Sequence, residues 1–181
     1  MRNVVLYQLL STDGVAEEPG DWLFDSDEAI FDNLGQVIGT QDAILLGGNT
    51  YDYWVDYWPT SDVEPFASFV NGTEKHVFTS SPRAQEWANS TLVSDPAAVY
   101  VADLKQREGN DIGIHGSISL AQSLLRARLV DELRLVVAPA VAGHGRRLFD
   151  GDDALQRLDL LSADRSPSGS LLLHYRVAPR G

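Results

Sequence analysis

The sequence predicts one α/β domain, with a mainly parallel central sheet and an antiparallel hairpin at its C-terminal end. Short apolar runs typical of buried strands alternate with segments of helical periodicity, a pattern that favours a parallel sheet covered on both faces. The length of 181 residues suits a single domain, and neither an internal repeat nor a low-complexity linker interrupts it. We therefore expect residues 1–181 to fold as one unit.

The first strand and the first helix follow from apolar patterning and from the residues that end each run. Val4–Leu10 is a β-branched and aliphatic run that fits a central strand, and a Ser-Thr-Asp-Gly turn follows it. Glu17–Asp25 is a loop in which Trp22 is an apolar anchor. Ser26 is placed to cap a helix whose apolar residues recur at helical spacing until Gly39.

The second strand leads into a glycine turn. Asp42–Leu46 is a buried run closed by the pair Gly47–Gly48. Asn49 or Thr50 then opens a short aromatic-rich segment that Pro59 stops. We interpret this segment as a core edge or a ligand wall, because the acidic chain disfavours a stacking face for nucleic acid.

Three more strands and two helices extend the predicted sheet. His76–Thr79 is a short third strand, and Thr91–Val93 is a minor one. A helix begins near Pro96, since proline suits the first helical position. Asp111–His115 is the next strand, and the turn Gly116–Ser119 leads from it into a helix with a leucine-rich face.

The last part of the chain supplies one strand and the hairpin. Val130–Pro139 has the apolar character of a further strand. Leu155–Ala163 and Ser170–Val177 are joined by a Pro-Ser-Gly turn, which predicts two antiparallel strands.

The composition excludes several kinds of protein and of site. The formal net charge is −12, and an acidic chain of this size repels nucleic acid and anionic membrane surfaces. The chain has no cysteine, which excludes disulfides and thiolate sites, and its four histidines lack metal-ligand spacing. Without a transmembrane-length run or a signal-peptide pattern, we expect a cytoplasmic protein with no metal site.

Two glycine turns after predicted strands are suited to phosphate. The turn Gly116–Ser119 aims unpaired backbone N–H groups and the helix dipole at one point, and Gly116 lets a ligand approach closely. A plain capped turn is the alternative, which the local chemistry alone favours. Gly47–Tyr51 repeats the arrangement, with a hydroxyl at Thr50 that binds phosphate or caps a helix. Because ligands bind outside the carboxyl ends of parallel strands, two such turns favour a dinucleotide.

Three other segments allow two interpretations each. Ser80, Ser81 and Arg83 offer hydroxyls and a cation for a 2′-phosphate, although a polar loop is the simpler interpretation of them taken alone. Asp13 ends the first strand, where a reacting group can reach it, but Asp-Gly turns are common. The turn Gly143–Arg147 either holds an anion or only carries solvated arginines.

The segments together resemble one family. The specific piece is Leu129–Leu133 with the helix that precedes it. Looser pieces in the family's order are the Ser-Thr-Asp-Gly turn, Asp42–Tyr51, Lys75–Ser81, Gly116–Ala121, Gly143–Phe149 and Gly169–Val177. This pattern is similar to the C-terminal domain family of riboflavin-biosynthesis reductases. The resemblance implies the three-layer fold of dihydrofolate reductase, NADPH as cofactor, and hydride transfer to a small heterocyclic or imine-like substrate.

The resemblance also implies roles for particular residues. The residues implied to bind the cofactor are Gly47, Thr50, Ser80, Ser81, Arg83, Gly116, Ser117, Ile118, Ser119 and Leu120. The first two would contact the phosphates, the next three would lie near the adenosine 2′-phosphate, and the last five would cradle the diphosphate. On the substrate side we expect Asp13, as the catalytic residue, with Trp22 and Tyr51. Relatives pair through C-terminal strands, so a homodimer is implied too.

Two positions depart from the family pattern. Many members carry Arg after the first glycine of the Gly47 turn, whereas this chain has Gly48 and Asn49 and lacks that cation. The riboflavin-pathway enzymes typically carry Glu where this chain has Ile114, which argues against that pathway's substrate. The substrate therefore stays open between 5-amino-6-(5-phosphoribosylamino)uracil-like and dihydrofolate-like compounds. A non-catalytic nucleotide-binding module that kept the fold is the alternative.

Overall fold

The computed structural model describes residues 1–151 and 154–178. The strands in these ranges are β1 Val4–Leu10, β2 Gln41–Gly47, β3 Glu74–Phe78, β4 Ser90–Val93, β5 Asp111–His115, β6 Glu132–Val137, β7 Leu158–Arg165 and β8 Leu171–Val177. The helices are α1 Glu28–Ile38, α2 Gly48–Tyr57, α3 Phe66–Gly72, α4 Ala97–Leu104 and α5 Ile118–Arg126. Short 3-10 turns lie at Pro19–Asp21 and Trp58–Thr60.

All eight strands form one sheet in the order β4-β3-β2-β5-β1-β6-β8-β7. The first six in this order run parallel, β8 is antiparallel to β6, and β7 is antiparallel to β8. Helices α4 and α5 pack on one face through Val101 and Leu124, and α1, α2 and α3 pack on the other through Val37, Val55 and Val70. The predicted fold class, a mainly parallel sheet with a C-terminal hairpin, is confirmed.

The strand order determines which loops meet. Strands β2, β5, β1 and β6 are consecutive neighbours and parallel, so their carboxyl ends open at the same edge of the sheet. The loops after these four strands carry the two glycine turns, Asp13, and the basic turn Gly143–Arg147. This edge is where ligands bind in parallel α/β sheets.

The most specific family motif, Leu129–Leu133, holds the sheet together rather than a site. Asp131 Oδ2 accepts hydrogen bonds from the Val4 N–H (2.7 Å) and from Lys105 Nζ (2.5 Å). Glu132 Oε2 lies 2.8 Å from His174 Nε2 on β8. The two carboxylates therefore join β1, β6 and β8 across three neighbouring strands.

Several predicted boundaries differ from the observed ones. Helix α1 is capped by Asp27, whose carboxylate accepts the Ile30 N–H at 3.2 Å, and not by the predicted Ser26. Pro96 precedes α4 as its cap residue and does not occupy the first helical position. Helix α3 was not predicted, because seven residues are too few for a clear helical period. Its burial of Phe66 and Val70 became visible only in the fold.

Candidate functional site

The carboxyl ends of β2 and β5 are linked by a chain of hydrogen bonds between the two glycine turns. The Gly47 N–H donates to Ser117 Oγ at 3.0 Å, and the Ser117 hydroxyl donates to Thr50 Oγ1 at 3.0 Å. The Thr50 hydroxyl in turn donates to the Gly116 carbonyl at 3.2 Å. Each hydroxyl thus accepts one bond and donates one, which fixes the two turns relative to each other. Four predicted cofactor residues therefore lie together.

The N-terminus of α5 is left open by this arrangement. Ser117 uses its hydroxyl elsewhere, so its side chain does not cap the helix. The first hydrogen bond within the helix runs from the Ala121 N–H to the Ser117 carbonyl at 2.8 Å. The N–H groups of Ile118, Ser119 and Leu120 precede that bond and have no helical carbonyl to donate to. These groups, together with the helix dipole, favour an anion at this point.

Gly116 is required by packing as well as by backbone geometry. Its φ of +64° lies in the left-handed region, which favours glycine. A β-carbon at this position would lie 2.5 Å from Cζ2 of Trp54, which belongs to α2. The Cα side of the turn, which we expected to admit a ligand, is therefore covered by an indole ring. A ligand here is expected on the side of the α5 N–H groups.

Arg83 reaches from the loop after β3 to the beginning of α2. Its guanidinium donates to Asp52 Oδ2 at 2.6 Å and to Thr79 Oγ1, and its Nε donates to the Ser81 carbonyl at 3.3 Å. A β-carbon on Gly48 would lie 3.1 Å from the guanidinium carbon. Because Gly48 has no side chain, the guanidinium of Arg83 fits beside it. The Gly47 turn lacks the arginine that many family members carry, but Arg83 places a cation next to this turn.

Asp13 lies in the turn after β1, and four donors hold its carboxylate. Ser11 Oγ (2.7 Å) and the Ala142 N–H (2.9 Å) donate to Oδ1, and the Gly143 N–H (3.0 Å) donates to Oδ2. These bonds, that of Ser11 first, lower the pKa of Asp13 to about 2, so the group is ionised at neutral pH. The guanidinium of Arg147 is the fourth donor, to Oδ2 at 3.5 Å, and Arg147 Nε donates to the Asp13 carbonyl at 2.9 Å. The carboxylate therefore ties the loop after β6 to the turn after β1.

A cavity of about 300 Å³ lies between the same two loops. Trp22 forms one wall; it is 4% exposed, and its indole N–H donates to the Glu17 carbonyl at 2.9 Å. Glu18, Asp21 and His144 lie around the cavity and are exposed. The predicted substrate residue Trp22 is therefore placed in a cavity with an acidic rim.

Two positions that the sequence associated with the substrate lie in the core. Tyr51 is 2% exposed, and its hydroxyl donates to the Gln85 carbonyl (3.1 Å) and accepts the Trp87 N–H (2.8 Å). Its polar group is fully used, so we do not retain it as a substrate contact. Ile114 is 0% exposed and packs in the core beneath α4 and α5. The position is therefore apolar and buried in this chain, and the argument from it against the riboflavin-pathway substrate stays a prediction.

His115, the neighbour of Ile114, faces the opposite side of the sheet. Its Nε2 lies 2.8 Å from Gln41 Oε1, and its ring contacts those of Phe66 and Phe69. Burial lowers the pKa of His115 to about 3, so the imidazole is neutral. It is a core histidine. Within the ranges described above, no three His, Asp or Glu side chains converge as a metal site would require.

The basic turn Gly143–Arg147, which the sequence left open between two interpretations, belongs to this edge of the sheet. The guanidinium of Arg146 donates to Ser119 Oγ at 2.7 Å. This contact joins the loop after β6 to the first turn of α5, between residues 27 positions apart, and nothing in the spacing of the chain indicates it. The two arginines in a glycine-rich turn were the only sign of a cation here.

Comparison with known proteins identifies the family of this arrangement. A family model described as the RibD C-terminal domain matches residues 2–172. The uncharacterized protein YwjB of Bacillus subtilis (strain 168) is 33% identical over 152 residues, which are 82% of this chain and 83% of YwjB. The resemblance carried by the sequence motifs is confirmed.

Solved structures show the same fold. A pyrimidine reductase-like protein from Corynebacterium diphtheriae has a TM-score of 0.71 at 18% identity, covering 99% of this chain and 93% of that one. Dihydrofolate reductase from Enterococcus faecalis, complexed with NADP(H), has a TM-score of 0.65 at 13% identity, covering 98% and 97%. The predicted dihydrofolate reductase-like architecture is confirmed. In the part of the chain described, no helix has the length and apolar character to cross a bilayer.

Proposed function

This chain belongs to the RibD C-terminal domain family, and we propose that it is an NADPH-dependent reductase that transfers a hydride to a small heterocyclic or imine-like substrate. One observation carries the proposal: the Gly47 and Gly116 turns are joined by hydrogen bonds beside the open N-terminus of α5. This arrangement offers backbone donors for a diphosphate at the edge where parallel sheets bind ligands.

The donors along this edge fit a dinucleotide with an additional phosphate. The N–H groups at the beginning of α5 would hold the diphosphate, and the hydroxyl chain through Thr50 and Ser117 would keep them in place. A guanidinium pairs well with phosphate oxygens. The contacts proposed for the 2′-phosphate are Arg83 and the exposed hydroxyls of Ser80 and Ser81. When bound, NADPH supplies the hydride, while the protein supplies position and electrostatics.

We assign Asp13 a positioning role on the substrate side. Its ionised carboxylate is surrounded by donors from the two loops that border the cavity, so it keeps those loops together. Trp22 would form a wall against the substrate. The carboxylates of Glu17, Glu18 and Asp21 would favour a protonated nitrogen, and protonation of an imine also activates its carbon toward hydride.

Titration with NADPH tests the cofactor assignment. Trp54 covers the Gly116 turn, so we expect bound nucleotide to change the tryptophan fluorescence. A saturable change below millimolar NADPH is the expected result. No binding at millimolar NADPH would overturn the proposal.

The alternative is a nucleotide-binding module without catalysis. The carboxylate of Asp13 favours it, because its oxygens are already engaged by donors from the two loops around the cavity. Steady NADPH oxidation with any member of a panel of pterins and pyrimidines would rule out this alternative. Loss of that oxidation in Asp13→Ala would tie it to this site. NADPH binding without oxidation across the panel would favour the module.

A further inference from the structure

The guanidinium of Arg146 lies at the N-terminus of α5, where the helix dipole is positive. It donates to Ser119 Oγ at 2.7 Å. Arg83 and Arg147 are paired with Asp52 and Asp13. In contrast, no carboxylate among residues 1–151 and 154–178 forms an ion pair with Arg146. A cation beside the positive N-terminus of a helix is electrostatically unfavourable. An anion bound between the Arg146 guanidinium and the N-terminus of α5 would interact favourably with each of them.

The position of Arg146 is set by its backbone. The Ala16 and Glu17 N–H groups donate to its carbonyl at 2.9 and 3.3 Å, and its own N–H donates to Glu17 Oε2 at 3.0 Å. Gln122 of α5 donates to the next carbonyl, that of Arg147, at 3.1 Å. The loop is thus attached both to the turn after β1 and to α5, so the side chain begins from a fixed point.

We propose that Arg146 binds the diphosphate of the cofactor, together with the open N–H groups of α5. The assignment rests on the proposed function and deepens it. It places one cation at the diphosphate and another, Arg83, at the 2′-phosphate. The loop of Arg146 also borders the cavity of Trp22, so the diphosphate contact and the substrate wall belong to one segment.

Binding of NADPH and NADH to the full chain separates the two arginines. Both nucleotides carry the diphosphate, so Arg146→Gln should weaken both by the same factor, about tenfold for one lost charge-assisted contact. Arg83→Gln should weaken NADPH and leave NADH nearly unchanged. Arg146→Lys keeps the charge and should recover part of the affinity. Arg157→Gln, an exposed site, is the matched control for charge and should bind as wild type does.

Each other outcome is decisive. NADPH affinity unchanged in Arg146→Gln would overturn the assignment and leave the proposed function standing. Loss of NADPH binding with NADH intact would move Arg146 to the 2′-phosphate and overturn it as well. Failure of the wild type to bind either nucleotide would overturn the proposed function, and this inference with it. Circular dichroism without nucleotide confirms that the variants are folded, as expected for an exposed side chain.

Discussion

Among single residues, hydrogen bonding decides what Asp13 can do. Its sequence position, at the end of a central strand, suits a catalytic acid. Its hydrogen-bond donors stabilise the charged form, however, and so remove the proton that an acid would deliver. A carboxylate with a pKa of about 2 cannot cycle its proton near neutral pH, so it is better suited to hold the loops beside the site.

The same low pKa predicts how stability depends on pH. The pKa of Asp13 is about 2 in the folded chain, and it is about 3.9 in an unfolded one. The contribution of the ionised Asp13 to the free energy of unfolding is therefore complete above about pH 4 and is lost as the pH falls through 2. We expect the free energy of unfolding to fall more between pH 4 and 2 in the wild type than in Asp13→Asn, measured by urea unfolding. Parallel curves for the two proteins would contradict this.

At the scale of elements, the contact between α2 and the turn before α5 forms the site. Trp54 packs on Gly116 while Thr50, one turn earlier on the same helix, donates to the Gly116 carbonyl. Packing and hydrogen bonding therefore act on the same residue. A substitution in the Gly116 turn should therefore also disturb α2, the helix that carries Thr50.

The packing of Trp54 on Gly116 can be tested by comparing two glycines that have similar backbone conformations. Gly116 and Gly143 both have left-handed φ, +64° and +77°, but a β-carbon on Gly143 would meet nothing within 4 Å. Gly116→Ala should therefore lose about 1–3 kcal/mol more stability than Gly143→Ala, the usual cost of overpacking. Urea unfolding measures both. Gly116→Ala should cost less in a Trp54→Ala background than in the wild type, and equal losses in Gly116→Ala and Gly143→Ala would refute the packing argument.

At the scale of the whole molecule, β7 is the unusual strand. It is an edge strand, and all eight of its residues are exposed. Leu160 and Leu161 are 55% and 41% exposed. Exposed apolar edge strands readily pair with another chain. The homodimer implied by the family resemblance remains a prediction, and this strand is where we expect it to form.

Light scattering after size exclusion tests the dimer. At micromolar concentration we expect a mass twice that of the 19.8 kDa chain. Leu160→Glu should shift the mass to the monomer, because it places a charge in the interface. Val99→Glu, on α4 and 66% exposed, is the matched control and should stay dimeric. A monomeric wild type would refute the pairing.

The sequence by itself determined the elements of this protein. Val4–Leu10 and Asp111–His115 were predicted with the boundaries observed, and the C-terminal hairpin was predicted as a pair. These signals are local: a short apolar run and the turn-forming residues that end it act over a few positions. For the same reason the seven-residue α3 escaped prediction, since it is too short to show a period.

Only the tertiary structure decided which side chains meet. It placed Arg146 against Ser119, Arg83 over Gly48, and the donors of two distant loops around Asp13. All of these follow from the strand order β3-β2-β5-β1-β6. Backbone hydrogen bonds between parallel strands are alike for any pair of neighbours, so no local pattern encodes that order. It is set by how the helices and the apolar faces of the whole sheet pack together.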